Sequence, residues 1–276
     1  MGFTPPSPTR QAEEAGPSLE SALRWDRVIV GSGLAGISIL SWVYLISMGR
    51  DMHLVDLGRH MLMPHAQHRG SHELTTLCAM WTIMMVAMMV PAVTPTILMF
   101  ARLNRSRHHE HTPYAETGGF LGGYLILWTI YSLLAGLAQW ALHSTGLISD
   151  AMVSTSNILG GSLLVSAGAY QWTPLKNVCL THCRSPLSFL MTRWKDGAAG
   201  ALWMGLEHGF YCVACCWLLM LLLFVAGVMN LLWMGTITAL VLIEKISPAS
   251  PWIARMSGAL LAGWGAWMFA LVLFQK

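Results

Sequence analysis

AAGALWMGLEHGFYCVACCWLLMLLLFVAGV, residues 198–228, is an apolar stretch with a single acidic side chain and no lysine or arginine. A bilayer core needs about 20 consecutive apolar residues, so the stretch predicts a transmembrane helix. At about 100° per residue, one face of that helix carries Met204, His208, Cys212 and Cys215, and Cys216 lies beside them. Polar side chains at membrane depth usually face a bundle interior or a pathway. The stretch therefore predicts both a membrane fold and a candidate site.

The composition of the whole chain supports a membrane protein. Of 276 residues, 55% are hydrophobic and only 11% are charged. Soluble domains carry about 25% charged residues, so composition excludes an ordinary soluble domain. The net charge of +3 is small, and we expect no nucleic-acid partner.

Apolar stretches recur along the chain and predict an all-α, polytopic helix bundle with about seven transmembrane helices. The predicted spans are residues 28–47, 74–100, 118–142, 151–171, 198–228, 231–246 and 252–274. Residues 1–27 are polar and rich in proline, and we expect a disordered cytoplasmic tail there. Residues 28–276 form a single transmembrane helical domain in this interpretation. Residues 172–197 form a long connection between two spans, and Asn230 marks a tight turn.

The basic residues predict the orientation. With a cytoplasmic N-terminus, twelve of the sixteen Lys and Arg residues lie inside, as the positive-inside rule requires. We therefore expect a multi-pass protein of the bacterial inner membrane, with the lipid bilayer as its surroundings. The stretch 48–73 then lies outside, and the connection 172–197 lies inside.

A nucleotide-binding motif occurs within the first predicted span. Gly31-Ser32-Gly33-Leu34-Ala35-Gly36 matches the pattern G-x-G-x-x-G of dinucleotide-binding folds. That fold needs further alternation of strands and helices, whereas this chain continues into long apolar runs. We expect no nucleotide and interpret the glycines as small residues at a helix–helix contact.

Soft metal ligands are concentrated in the fifth predicted span. His208, Cys212, Cys215 and Cys216 offer imidazole and thiol donors of the kind that copper and zinc prefer. Glu207 is a candidate partner for the histidine. The alternative is packing, because cysteine is often buried as a small hydrophobic residue.

The connection 172–197 carries a second candidate, Cys179-Leu-Thr-His182-Cys183. Three local donors suit a soft cation, whereas structural zinc usually has four ligands. The alternative is a surface loop that serves only the positive-inside rule. A relay that joins these residues to the fifth span is a further hypothesis.

Methionines and histidines supply two weaker candidates. His60, Met61 and Met63 lie in the outer stretch, where thioether and imidazole groups suit copper capture. Met84 and Met88 lie on one side of the second span, which also contains Pro91 and Pro95 and should kink or break there. A helical methionine stripe is more often packed core than ligand.

Several motifs resemble a family of bacterial membrane proteins, domain-of-unknown-function family 2182, described as predicted metal-binding integral membrane proteins. The resemblance rests on motifs spread over residues 50–265: Met80-Trp-Thr-Ile-Met-Met-Val-Ala-Met-Met-Val-Pro91, Gly123-Tyr124-Leu-Ile-Leu-Trp128, Gln139-Trp140, Gln171–Pro186, Gly205–Trp217, Gly227-Val-Met-Asn230 and Glu244-Lys245. It implies a multi-span protein with a metal site, without specifying the metal or an activity.

Together these observations lead to one main hypothesis and one alternative. The main hypothesis is a protein that binds copper, favoured over zinc, and moves or delivers it across the inner membrane, with a metallochaperone or a membrane enzyme complex as its partner. The alternative is a membrane metalloenzyme or a redox accessory subunit. A third, structural interpretation leaves the thiols with a packing role only.

Overall fold

The computed structural model describes residues 8–62, 71–107, 114–144 and 157–274. Side chains are described for residues 21, 23–50, 74–107, 114–144 and 157–274. Throughout these ranges the ordered elements are helices, as predicted. They are α1 Pro8–Leu62, α2 Ser71–Arg107, α3 Tyr114–Ser144, α4 Asn157–Gln171, α5 Pro174–Arg184, α6 Pro186–Thr192, α7 Gly197–Leu221, α8 Leu223–Ala226, α9 Leu231–Ile246 and α10 Ser250–Phe274.

Five helical segments are long and apolar enough to cross a membrane: Leu23–Arg50, Leu74–Arg107, Tyr114–Ser144, Gly197–Ala226 and Ser250–Phe274. The other two predicted spans correspond to α4 and α9, which have 15 and 16 residues, fewer than the roughly 20 that a bilayer needs. Residues 151–156 of the predicted fourth span lie outside the described residues. The seven-span topology and the orientation therefore stay predictions.

Three local features differ from the sequence predictions. Helix α1 begins at Pro8, within the segment predicted to be a disordered tail. Helix α2 continues through Pro91 and Pro95, so the predicted break does not occur. A Cβ added at Gly33 or Gly36 would meet no atom within 4 Å, so the predicted helix contact at these two glycines is wrong for the described residues. The motif also lies within one continuous helix, which lacks the strand and turn of a dinucleotide-binding site.

Glycines bring two pairs of helices unusually close together. A Cβ added at Gly205 of α7 would collide with the backbone oxygen of Phe120, and one at Gly123 of α3 would collide with that of Leu202. Similarly, a Cβ at Gly168 of α4 would lie 2.7 Å from the backbone oxygen of Gly258 in α10. Small residues permit this close backbone approach between membrane helices. The α3–α7 contact fixes the helix that carries the candidate thiols.

The connection 172–197 folds into two short helices instead of an extended loop. Helix α5 starts at Pro174, where a missing N–H costs nothing, and the side chain of Thr173 caps it by accepting from the Lys176 N–H at 3.3 Å. The predicted turn at Asn230 is confirmed: its side chain accepts from the Trp233 N–H at 3.1 Å and caps α9. Because α5 packs against α7, residues remote in sequence meet near the thiols.

Candidate metal centre

Cys212 of α7 lies at the centre of a buried cluster of polar side chains. Its relative exposure is 0%. The Tyr124 hydroxyl of α3 is 3.1 Å from its sulfur, and the Lys245 Nζ of α9 donates to the same sulfur at 2.9 Å. Two other helices, α3 and α9, therefore supply polar groups to one thiol of α7. A buried ammonium at this distance supplies the positive charge that a buried thiolate would need as a partner.

Three more thiols lie against Cys212. Those of Cys215 and Cys216, one turn further along α7, donate to the Cys212 carbonyl oxygen at 3.1 and 3.0 Å. The fourth thiol, Cys183, reaches the cluster from α5. It is buried where α5 packs against α7, and the neighbouring thiols of Cys212 and Cys215, followed by burial, raise the pKa of the Cys183 thiol well above its ordinary value. The structure thus brings Cys183 to the predicted α7 face.

Cys179 and His182 occupy different environments although both lie on α5. Cys179 is buried, one turn from Cys183, and burial followed by the nearby Cys215 raises the pKa of its thiol. The His182 ring instead stacks on Tyr211 at a centroid distance of 4.3 Å, and its Nδ1 lies 3.0 Å from the Val178 carbonyl oxygen. His182 is therefore engaged by Tyr211 of α7, and the surface-loop interpretation is wrong for the buried Cys179 and Cys183.

His208 lies one turn before Cys212 and is only 2% exposed. Aromatic rings surround it: the centroids of Phe189, Phe120 and Tyr124 are 5.4, 6.0 and 6.1 Å from that of the imidazole. Its Nδ1 has no hydrogen-bond partner among the described residues. An unpartnered buried nitrogen is costly, and metal coordination is one way to satisfy it.

The donors do not converge on a single point as they stand. Among the described residues, no group of three or more His, Cys, Asp or Glu side chains is arranged to hold a metal ion. The hydrogen bonds explain this, because two of the α7 thiols turn toward the Cys212 carbonyl group. Metal binding would require rotation of the Cys215 and Cys216 side chains away from this carbonyl group.

Two neighbouring side chains on α7 have other partners. Glu207, predicted as a partner of the histidine, places its Oε1 3.4 Å from Arg193 Nη1. The Met204 sulfur accepts a hydrogen bond from the Lys195 N–H at 3.3 Å. Both contacts tie the start of α7 to the segment that precedes it.

The methionine candidates separate into two groups. Met84 and Met88 are fully buried in the hydrophobic core, and Met85 and Met89 are buried equally. This uniform burial agrees with the packing interpretation of the second span. The side chains of His60, Met61 and Met63 lie outside the described residues, so capture by the outer stretch stays a prediction.

A buried ion pair holds α5 in position. Lys176 Nζ lies 2.7 Å from Glu244 Oε2 of α9, and both side chains are at most 2% exposed. Gln171 of α4 donates to the other Glu244 oxygen at 3.0 Å and accepts a hydrogen bond from Lys176. Paired buried charges of this kind are costly to break, so the network fixes α5 beside α9.

Sequence reasoning missed two members of the cluster, Tyr124 and Lys245. Both belong to motifs that carry the family resemblance, but neither has a metal-ligand side chain in the usual sense. The available signal was Glu244-Lys245, two adjacent charges at the end of a short apolar helix. A lysine at a helix end also satisfies the positive-inside rule, so the sequence did not predict that Lys245 is buried.

Comparison with known proteins gives one family. The profile of the PpoB2 family, described as copper chaperone, matches residues 78–268. This stretch contains every member of the buried thiol cluster. Comparison with curated proteins and with solved structures finds no match for this chain. Since the matched region covers more than half of the chain, and the PpoB2 family is also called domain-of-unknown-function family 2182, this chain belongs to the copper-chaperone family that its motifs resemble.

Proposed function

We propose that this chain is a membrane copper chaperone that binds Cu(I) as cargo at the cluster of Cys183, Cys212, Cys215 and Cys216. The observation that carries the proposal is the packing of α5 against α7, which buries Cys183 in the same core as Cys212 and Cys215 although Cys183 and Cys212 lie nearly 30 residues apart in sequence. Soft thiolate ligands select Cu(I). Thiolates also bind zinc, and the description of the matched family as copper chaperone favours copper.

Charge balance gives Lys245 a role in this proposal. Cu(I) bound by two thiolates carries one net negative charge, and Lys245 beside Cys212 supplies one positive charge. A neutral ensemble avoids the cost of an uncompensated charge in a low-dielectric interior. Copper uptake also displaces the thiol protons, so binding releases protons.

His208 and Cys179 lie next to the cluster and have different roles in this proposal. His208, whose Nδ1 is unpartnered among the described residues, offers an additional donor one turn away on α7. Cys179, buried one turn before Cys183, offers a position from which the ion is received or passed on. Delivery to an acceptor protein in the bacterial inner membrane is part of the same proposal.

The alternative, a metalloenzyme, lacks a favourable observation. A catalytic metal needs an adjoining cavity for its substrate. The two cavities described are lined by residues of α4, α5 and α10, and of α1 and α2, without a thiol or His208 among the described lining residues. The description of the matched family as copper chaperone supports a chaperone over an enzyme.

Copper titration tests the proposal. Purified protein in detergent, kept reduced, is titrated with Cu(I) against a competing chelator. Loss of a residue that contacts a metal ligand, without binding the metal itself, typically weakens metal affinity by ~10–100-fold. We expect Lys245→Met to weaken Cu(I) affinity within this range, and Cys183→Ser and Cys212→Ser to weaken it by more.

Cys78→Ser is the matched control. Cys78 of α2 packs against Gly136, about three turns along α3 from Tyr124, so its loss should leave copper binding unchanged. Equal copper affinity in wild type, Cys183→Ser and Cys212→Ser would place the site elsewhere and refute the proposal.

A further inference from the structure

A second polar site lies on the opposite face of α5 from the thiols. A cavity of about 480 Å³ opens between α4, α5 and α10. From α5 it is lined by Asn177, Thr181 and Arg184, whose spacing of four and three residues puts them on one helical face. From α10 it is lined by Ser250 and Arg255. The cavity is separate from the copper cluster and independent of the proposed function.

The charged groups that line this cavity are cationic. Arg184 donates one N–H to the Ser247 carbonyl oxygen at 2.7 Å, which holds the guanidinium in place and leaves other N–H donors. Arg255 is exposed and also lines the cavity. Among the described lining residues there is no carboxylate. Two guanidinium groups without an acidic partner favour an anion with several oxygen acceptors.

Ser250 gives independent evidence for a ligand. It is the first residue of α10, its exposure is 0%, and its Oγ has no hydrogen-bond partner among the described residues. A buried hydroxyl without a partner costs about 1–3 kcal/mol. The positive end of the α10 dipole lies at the same position, where anions bind favourably. A ligand oxygen would satisfy the hydroxyl, and its negative charge would interact favourably with the helix dipole.

Two tryptophans indicate the depth of the cavity. Trp172 lines it and is 50% exposed, and its indole N–H donates to the Arg255 carbonyl oxygen at 3.1 Å. Trp252, near the start of α10, is 66% exposed. Indole rings of this kind concentrate at the membrane–water boundary, the level of lipid headgroups.

We propose that this cavity binds a phosphate-type oxyanion, with Arg184 and Arg255 pairing its charge and the Ser250 hydroxyl donating to it. The same chemistry is offered by a phospholipid headgroup and by free phosphate. The test must therefore separate these two sources.

The experiment uses the full chain and two probes. In the first arm, inorganic phosphate is added to detergent-solubilised protein while the unfolding temperature is measured. In the second, protein taken from nanodiscs that contain phosphatidylglycerol or phosphatidylcholine is examined by native mass spectrometry for retained lipid. Arg255→Gln and Ser250→Ala are compared with Arg102→Gln, a matched control on the exposed surface of α2.

A rise in unfolding temperature with phosphate assigns a free anion, and selective retention of phosphatidylglycerol assigns a headgroup. In either case we expect Arg255→Gln and Ser250→Ala to shift the half-saturating concentration or the retained fraction by about tenfold, with Arg102→Gln unchanged. The proposal is refuted if neither phosphate nor phosphatidylglycerol binds. It is also refuted if Arg255→Gln and Ser250→Ala bind like wild type, or if the control Arg102→Gln loses as much binding as they do. Ser250→Ala removes only one oxygen atom, so we expect this variant to fold and its result to report on binding.

Discussion

Substitution of Gly205 by alanine tests whether the α3–α7 contact sets the geometry of the copper cluster. Gly205 lies one turn before Gly209 and near His208 on α7, and an added Cβ would lie 2.8 Å from the Phe120 carbonyl carbon. Ordinary contacts begin at 3.4 Å, so α3 must move by about 0.6 Å, and by more at the carbonyl oxygen. The neighbour is backbone, which cannot rotate away as a side chain can.

This displacement matters because both helices contribute to the cluster. Tyr124 of α3 lies 3.1 Å from the Cys212 sulfur of α7, and site geometry tolerates only about 0.5 Å of error. We therefore expect Gly205→Ala to lower the free energy of unfolding by about 1–3 kcal/mol, the usual cost of overpacking. Copper affinity should fall by at least about tenfold, although no proposed ligand is altered.

Unfolding followed by tryptophan fluorescence gives the first quantity, and Cu(I) titration against a chelator gives the second. Gly235→Ala in α9 and Gly263→Ala in α10 are the matched controls, because an added Cβ meets nothing within 4 Å at either position. These controls should keep wild-type copper affinity and gain up to about 1 kcal/mol of stability from better helix propensity. If Gly205→Ala behaves like the controls, the close contact does not fix the cluster.

Two further predictions concern buried polar pairs. Glu244→Gln or Lys176→Met alone should lower the free energy of unfolding by about 3–5 kcal/mol, because each leaves a buried charge unpaired. The double variant should lose less than the sum of the two single losses. If denaturant unfolding shows that the two losses add strictly, the pairing is contradicted. Gln139→Leu should cost about 1–3 kcal/mol because the buried Trp81 indole N–H, which donates to Gln139 Oε1 at 2.5 Å, loses its acceptor. Unchanged unfolding of Gln139→Leu, measured beside an exposed control such as Arg102→Gln, would show that this bond is not needed.

The sequence predicted the features that depend on local composition and periodicity. The predicted span over residues 198–228 follows from an apolar run, which forms α7 and the short α8, and the shared face of His208, Cys212 and Cys215 follows from helical spacing. The cap at Asn230 follows from its side chain, which can accept from the first turn of α9. Each of these needs only neighbours within a few residues.

The features that sequence reasoning missed depend on packing between distant segments. Residues 172–197 have no long apolar run, so their folding into α5 and α6 was not visible. A relay from these residues to the fifth span was a hypothesis, but the burial of Cys183 against α7 follows only from tertiary packing. Lys245 at a helix end satisfies a simple orientation rule, and only tertiary structure reveals that it donates to a thiol. Gly33 and Gly36 of α1 show the opposite error, since small residues alone do not create a helix contact.

Helix α5 links the two proposed sites through its opposite faces. Its thiol face carries Cys179 and Cys183 toward α7, whereas its polar face, with Asn177 and Arg184, lines the cavity beside α10. The ion pair between Lys176 and Glu244 holds α5 in position between the two proposed sites. Any displacement of α5 from α7 would separate Cys183 from Cys212 and change the cavity walls at the same time.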